Sequence, residues 1–484
     1  MRSISSIVLC FLCLTSYSIR SVDAVENGNP IPRSREKVRE KLNVSTSKTI
    51  LFKPRSREKV RKKSIVFTSK TILFKPWDYG LPCWRIPATV KVYDIDRNLT
   101  RILVFAEGRY PNGDGCSVPG GEDIGRSSRS TTTTIDDRRV PGGEDIGLSG
   151  RSSSTTIDDL CKGYYRNIFY RYSDNDGQEW SDIYKLAGTN VSCLTDPAPV
   201  FYRDRVTGES KVIVQYSARG GTETWQHVSL DYGLTFDAKG TLLNDQLGVA
   251  AAGKRPGPAG GFFDPFTGRL MISGYAGKFD AGVSVWYSDD GGNRWDVANV
   301  SGKGPYDTNT SFENVTESVL VRLPLSGNVL LSMRVDAASP RRAALAIVDK
   351  TFSPPFAYSR SPPFFNESAA PSGASLPSTS TGDMGSLLST DDAVYYSMAL
   401  APDQSRSRMT VLMSLDDAES WTHGIVVYDG PSAYSDLTTL ADARSLGLAY
   451  ERDAEDHSTC EGVSCTIVFE SIAKTLPPFT PPHR

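Results

Sequence analysis

One eight-residue pattern occurs four times in this chain, and it restricts the fold more than any other feature. It reads SDNDGQEW from Ser173 to Trp180, SLDYGLTF from Ser229 to Phe236, SDDGGNRW from Ser288 to Trp295 and SLDDAESW from Ser414 to Trp421. Ser comes first, a carboxylate or amide stands two places on, and an aromatic seven places on; Gly stands four places on in all but the last copy. Those residues suit a hairpin turn. The hydroxyl and carboxylate satisfy turn backbone groups, Gly tolerates positive φ, and the ring packs beneath. The copies start 56, 59 and 126 residues apart, the last gap holding about two of the others. A supersecondary unit repeated in this way predicts propeller blades of four strands each.

Between the turns, short runs such as ATVKVYDI, RILVFAEG, KVIVQYS, VSVWYS and NVLLSMR are bounded by Gly, Asp, Asn and Pro clusters. These are strand and hairpin signals with almost no helical periodicity, so an all-β domain is expected. Residues 77–475, less a duplicated stretch at 116–159, hold about six units, which predicts a six-bladed propeller.

Two tandem duplications, each with a period of 22 residues, fall outside the pattern. Residues 33–54 recur almost unchanged at 55–76, and this basic stretch reads as a poorly ordered linker or stalk over 25–76. Residues 118–137 recur at 140–159, rich in Ser, Thr and Gly, and read as a loop inserted over 116–161. Ahead of both, Arg2, the apolar run Ile7 to Leu14 and the small residues before Ala24 read as a signal peptide over 1–24. A secreted protein, or one sent to an endomembrane, lysosome-like lumen, is therefore expected, ending in a tail at 476–484. Sequons at Asn43, Asn98, Asn190, Asn299, Asn309, Asn314 and Asn366 fit that route. So do the cysteines left after the signal: Cys83, Cys116, Cys161, Cys193, Cys460 and Cys465. Cys460–Cys465 would close a short loop and Cys116–Cys161 would pinch off the insertion, but the connectivity stays open.

Several function classes drop out. Only four His are present, scattered and without metal spacing, so neither a His-dependent metal site nor a Ser-His-Asp triad is expected, and no cofactor. A net charge of −2 argues for neither nucleic acid nor a membrane surface as partner. No Gly-x-Ser-x-Gly elbow occurs. The segment Gly248 to Lys254 resembles a phosphate loop, but Arg255 replaces the required hydroxyl and Pro256 follows.

The four turns resemble the Asp-boxes of the sialidase (neuraminidase) superfamily, a six-bladed propeller family. Trp84-Arg85-Ile86-Pro87 resembles its arginine–isoleucine–proline motif, which is expected one blade ahead of the first box. Asp196 to Val200 (DPAPV), Gly257 to Gly260 (GPAG) and Gly430 to Asp436 (GPSAYSD) extend the resemblance over most of 77–472. Asn175, Phe236 and Ala418 depart from the box consensus at positions that support folding.

The resemblance implies an exo-α-sialidase acting on sialylated glycoproteins, gangliosides or oligosaccharides. A sialic acid carries a carboxylate on its anomeric carbon, and clustered guanidinium groups suit that anion because they stay charged and bind carboxylates bidentately. Arg85, Arg334 and Arg406 match the family's three arginines, with Arg408 the alternative to Arg406. Tyr434 matches the nucleophile and Glu317 its base; sialidases with a Tyr nucleophile are an exception among retaining glycosidases. Asp114 matches the acid/base, with Asp123 its competitor, and Arg109 a supporting pocket arginine after Glu107. Two other readings stay open: a trans-sialidase using the same residues, and a non-catalytic sialoglycan-binding propeller.

Overall fold

Each repeated turn folds on itself through the same bonds. Ser173 Oγ accepts from Gly177 N at 2.9 Å and donates to Asn175 Oδ1 at 3.0 Å, which in turn accepts from Glu179 N at 2.9 Å. The Ser bond to the residue four places on is 2.8 Å at Ser229, 2.8 Å at Ser288 and 2.9 Å at Ser414. Two successive residues take positive φ in every copy, the second being Gly177, Gly233, Gly292 or Ala418. The departures at Asn175, Phe236 and Ala418 therefore leave the turn intact.

The computed structural model describes residues 69–110, 165–189, 192–248, 254–275, 283–301, 315–335, 342–348, 356–360, 383–403, 405–453 and 466–479. A first strand, β1 (Ser69–Phe74), precedes a four-stranded antiparallel sheet of β2 (Cys83–Asp94), β3 (Leu99–Tyr110), β4 (Tyr165–Ser173) and β5 (Tyr184–Ala187). The next sheet comprises β6 (Thr195–Arg203), β7 (Ser210–Ala218), β8 (Glu223–Ser229) and β9 (Thr241–Leu242). A nine-stranded sheet follows. Its first part is β10 (Arg255–Pro256), β11 (Phe262–Phe263), β12 (Leu270–Tyr275), β13 (Val283–Ser288) and β14 (Asp296–Ser301). Its second part is β15 (Val315–Arg322), β16 (Val329–Val335), β17 (Arg342–Val348) and β18 (Phe356–Arg360), joined to the first by a short parallel β14–β18 pairing. The last sheet runs through β19 (Ser386–Ser389), β20 (Val394–Ala399), β21 (Ser407–Ser414), β22 (His423–Thr439), β23 (Ser445–Arg452) and β24 (Thr466–Ala473) to β1. Its 17-residue β22 pairs with β21 in its first half and with β23 in its second.

These sheets adopt a propeller-like arrangement. Apolar clusters join neighbouring sheets and the successive parts of the two larger ones: Phe105 with Val212 and Val214, Val200 with Ile272, Met271 with Leu331. The series continues through Leu345 with Tyr396 and Val411 with Leu448, and closes where Ile102 and Val104 meet Ile467 and Phe469. Both faces of a strand are thus buried, which is why these strands read as continuous apolar runs. β2, β6, β11, β15, β19 and the second half of β22 supply walls of one central cavity of about 550 Å³. The repeated turns follow β4, β8, β13 and β21, and two of them stitch neighbouring sheets. Asp176 accepts from Ala441 N and Asp442 N (2.7 and 3.1 Å), and Asp417 from Leu325 N and Ser326 N (3.0 and 2.6 Å). Among the described residues the longest α-helix is one turn, α1 (Asn244–Leu247), and no helix is long and apolar enough to cross a membrane.

Two expectations need correction. The Arg85 motif lies on β2 and the first box follows β4 in the same sheet, because the insertion lengthens the sequence between them. Residues 69–74, read as linker, form β1, which pairs with β24 from Ser69↔Ser471 to Phe74↔Ile467. Within the tail, Leu476 is buried and Phe479 packs against the core. The signal segment, the first duplication up to residue 68, the second duplication, Asp114, Asp123, Cys116, Cys161, Cys460 and Cys465 lie outside the described residues. Cys83 and Cys193 are each disulfide-bonded.

Candidate active site

β2 opens with an irregularity between Arg85 and Ala88, where Ile86 takes φ 56° and Pro87 has no N–H to offer the ladder. The kink turns Arg85 and the Ile86 amide onto one carboxylate: Arg85 Nε and Ile86 N donate to Glu451 Oε1 at 2.8 and 2.7 Å. Glu451, on β23, is fully buried, and its other oxygen accepts from Tyr434 N at 3.4 Å. Burial would make Arg85 easier to deprotonate, but the Glu451 charge more than reverses this and its guanidinium stays ionised.

Tyr434 sits at a comparable irregularity in β22, between Ser432 and Ser435. Its hydroxyl lies against both Glu317 oxygens, at 2.7 and 2.8 Å. Arg334 Nη1 donates to Tyr434 Oη at 3.0 Å and to Glu317 Oε2 at 3.0 Å. Glu317 and Arg334 come from the paired strands β15 and β16. Their side chains are 12% and 13% exposed, so their mutual attraction is poorly screened. The Arg85 and Arg406 guanidinium carbons lie 5.5 and 5.9 Å from the Tyr434 ring centroid. Arg406 Nε is held by Asp383 Oδ1 at 2.6 Å. Arg408 points elsewhere, pairing with the exposed Asp429 at 3.2 Å, so the geometry favours Arg406. Burial and the Glu317 charge push the Tyr434 phenol well above the ordinary tyrosine value, with Arg334 and Arg406 opposing.

Arg85, Glu317, Arg406 and Tyr434 line a cavity of about 320 Å³ together with Arg109, Arg166, Asp196, Arg255 and Tyr275. Arg109 Nε and Nη2 fork onto Glu107 Oε2 (2.9 and 2.7 Å). Glu107 Oε1 accepts from Thr195 Oγ1 and Asp196 N (2.6 and 2.9 Å). Burial alone would raise the Glu107 carboxyl, but Arg109 and Arg166 hold it below the usual range. Asp196, at φ 61°, accepts from Tyr275 Oη at 2.8 Å; burial and the Glu107 charge push it up to about 6. Burial and the nearby Arg109 bring Arg166 down to about 10.

The structure therefore brings Arg85, Arg109, Arg334, Arg406, Glu317 and Tyr434 together. Sequence reasoning assigned no role to Arg166, Asp196, Arg255, Tyr275, Asp383 or Glu451. Asp196 lies in the DPAPV stretch and Arg255 two places before GPAG, which were the available signals. Glu451 and Asp383 had none. Among the described residues no group of three His, Cys, Asp or Glu could hold a metal ion. Such a cavity can grip a small anion with guanidinium groups and present a phenol with an adjacent base.

No protein-family model matches the sequence, and no curated protein does. Solved structures do match. The Trypanosoma rangeli sialidase in complex with 2,3-difluorosialic acid, described as a covalent intermediate, aligns at a TM-score of 0.54 and 15% identity, over 83% of this chain and 58% of that one. The NanB sialidase of Streptococcus pneumoniae aligns at 0.53 and 13%, over 83% and 70%. The chain thus spans less than two thirds of the T. rangeli protein. Its fold is that of the sialidase propellers.

Proposed function

We propose that this chain is an exo-α-sialidase that hydrolyses terminal sialic acid from glycoproteins, glycolipids or oligosaccharides with retention. The observation that carries the reading is the Tyr434 hydroxyl lying between Glu317 and Arg334, with Arg85 and Arg406 beside its ring. Arg85, Arg334 and Arg406 would hold the substrate carboxylate next to the anomeric carbon. Tyr434 Oη would attack that carbon as its proton passes to Glu317, while Asp114 protonates the departing glycosidic oxygen. Water would then cleave the tyrosyl–sugar bond, giving a proton to Asp114 as Glu317 returns one to Tyr434. A neutral phenol avoids the repulsion that a carboxylate nucleophile would meet from the substrate's own charge. Its raised pKa keeps it neutral until Glu317 takes the proton. Arg109 would support the far side of the sugar.

The same proposal takes the ring as six four-stranded blades over 77–475 joined by β1, which the six strands around the central cavity support. Secretion is proposed on the N-terminal sequence alone. The test is release of a fluorogenic sialoside by wild type, Tyr434→Phe and Asp114→Ala. Activity in wild type and its near-complete loss in Tyr434→Phe are expected. An inactive wild type between about pH 4 and about pH 8, or a fully active Tyr434→Phe, would overturn the reading.

A further inference from the structure

Asp436 follows Tyr434 by two positions on β22 and is 2% exposed. Its carboxylate faces the central cavity, away from the sugar site, yet accepts five hydrogen bonds. Oδ2 takes Thr89 N at 2.6 Å, Thr89 Oγ1 at 3.0 Å and Gly260 N at 3.2 Å. Oδ1 takes Ser386 Oγ at 2.5 Å and Leu437 N at 3.1 Å. The donors come from four stretches of chain far apart in sequence: β2, the turn before β11, β19, and β22 itself.

Each stretch carries a cavity group, or the ion-pair partner of one, within a few residues of its bond to Asp436. Thr89 follows Arg85 and Ile86, Gly260 follows Arg255, Ser386 follows Asp383, the partner of Arg406, and Asp436 follows Tyr434. At Gly260 an added Cβ would lie 3.0 Å from Thr89 O, so the close approach there suits glycine. Five donors on one desolvated carboxylate make a connection that no neutral side chain of the same size reproduces, since an amide offers only one acceptor oxygen.

We infer that Asp436 is a positioning residue: one buried carboxylate holds the inner strands bearing Arg85 and Tyr434, β19 just after Asp383, and the segment after Arg255, in common register around the cavity. It touches no substrate. Its effect on rate rests on the sialidase reading above, whereas the clamp itself does not. Long arginines can follow a small strand shift, but the phenol and the anomeric carbon need near-contact alignment, where a misplacement of about 1 Å costs on the order of a hundredfold.

The test is Asp436→Asn, followed by hydrogen exchange of the whole protein and by sialoside kinetics. Exchange is expected to rise together in residues 85–89, 383–386 and 434–437, and kcat per folded molecule to fall by about tenfold or more with KM within about threefold. If the variant does not fold, Ser386→Ala, which removes a single donor, should show the same pattern in smaller degree. Faster exchange confined to 434–437, or lowered thermal stability with unchanged kcat, would overturn the inference. If wild type releases no sialic acid, the enzymatic reading fails, and the exchange pattern alone decides the clamp.

Discussion

Replacing Glu317 by Gln is the sharpest probe of the site, because it preserves shape and removes one function. In wild type both carboxylate oxygens lie within 2.8 Å of the Tyr434 hydroxyl, and Oε2 also receives Arg334. The amide can still accept one hydrogen bond but cannot take the phenol's proton. Loss of a positioned base is worth about 10²- to 10⁴-fold in rate, or about 3–5 kcal/mol of barrier. A second effect has the opposite sign. The Glu317 charge helps raise the Tyr434 pKa while Arg334 and Arg406 lower it, so the Gln variant should carry a more acidic phenol. Its residual activity should therefore climb with pH as hydroxide replaces the missing base, unlike that of wild type. Fluorogenic sialoside hydrolysis from about pH 5 to about pH 9, with circular dichroism to establish folding, reads both effects. A variant within about threefold of wild-type kcat, with an unaltered pH profile, would refute the assignment of Glu317 as base.

Two further outcomes are expected. Arg406→Ala should raise KM about tenfold or more, the scale of a lost charged hydrogen bond, whereas Arg408→Ala, which removes a surface pair, should leave KM within about twofold; equal effects would reassign the third arginine. Gly292→Ala should destabilise the fold by about 1–2 kcal/mol, because its φ is 83° and the new Cβ would have to displace the Ile213 Cδ1 methyl; denaturant titration showing a change under about 0.5 kcal/mol would contradict this.

What could be read in advance depended on how local each interaction is. The box turns satisfy their own backbone groups within eight residues, so Ser, Asp and Gly at fixed spacing leave a trace in the sequence. Tyr434, Glu317 and the arginines were legible only through motifs, since nothing intrinsic sets Tyr434 apart from the other tyrosines. Glu451 was invisible: the bonds that give it meaning join β23 to Arg85, 366 residues earlier. Asp383 likewise acquires its role from where β19 lies beside Arg406, which no spacing rule encodes. β1 was misread because its sequence repeats a basic stretch, yet the alternation in SKTILF suffices for an edge strand once β24 is there to receive it.

That pairing has a temporal side. The strand laid down earliest among those described must wait for the last, β24, before its backbone groups find partners. During synthesis the ring therefore stays an open arc until β24 has emerged. An intermediate lacking only the final strand would present two unsatisfied edges, one on β23 and one on β1, each able to recruit the wrong neighbour. Glu451 lies on β23, at the edge of that gap, and its partners Tyr434 and Arg85 lie on β22 and β2, so site assembly and ring closure are expected to be a single late event.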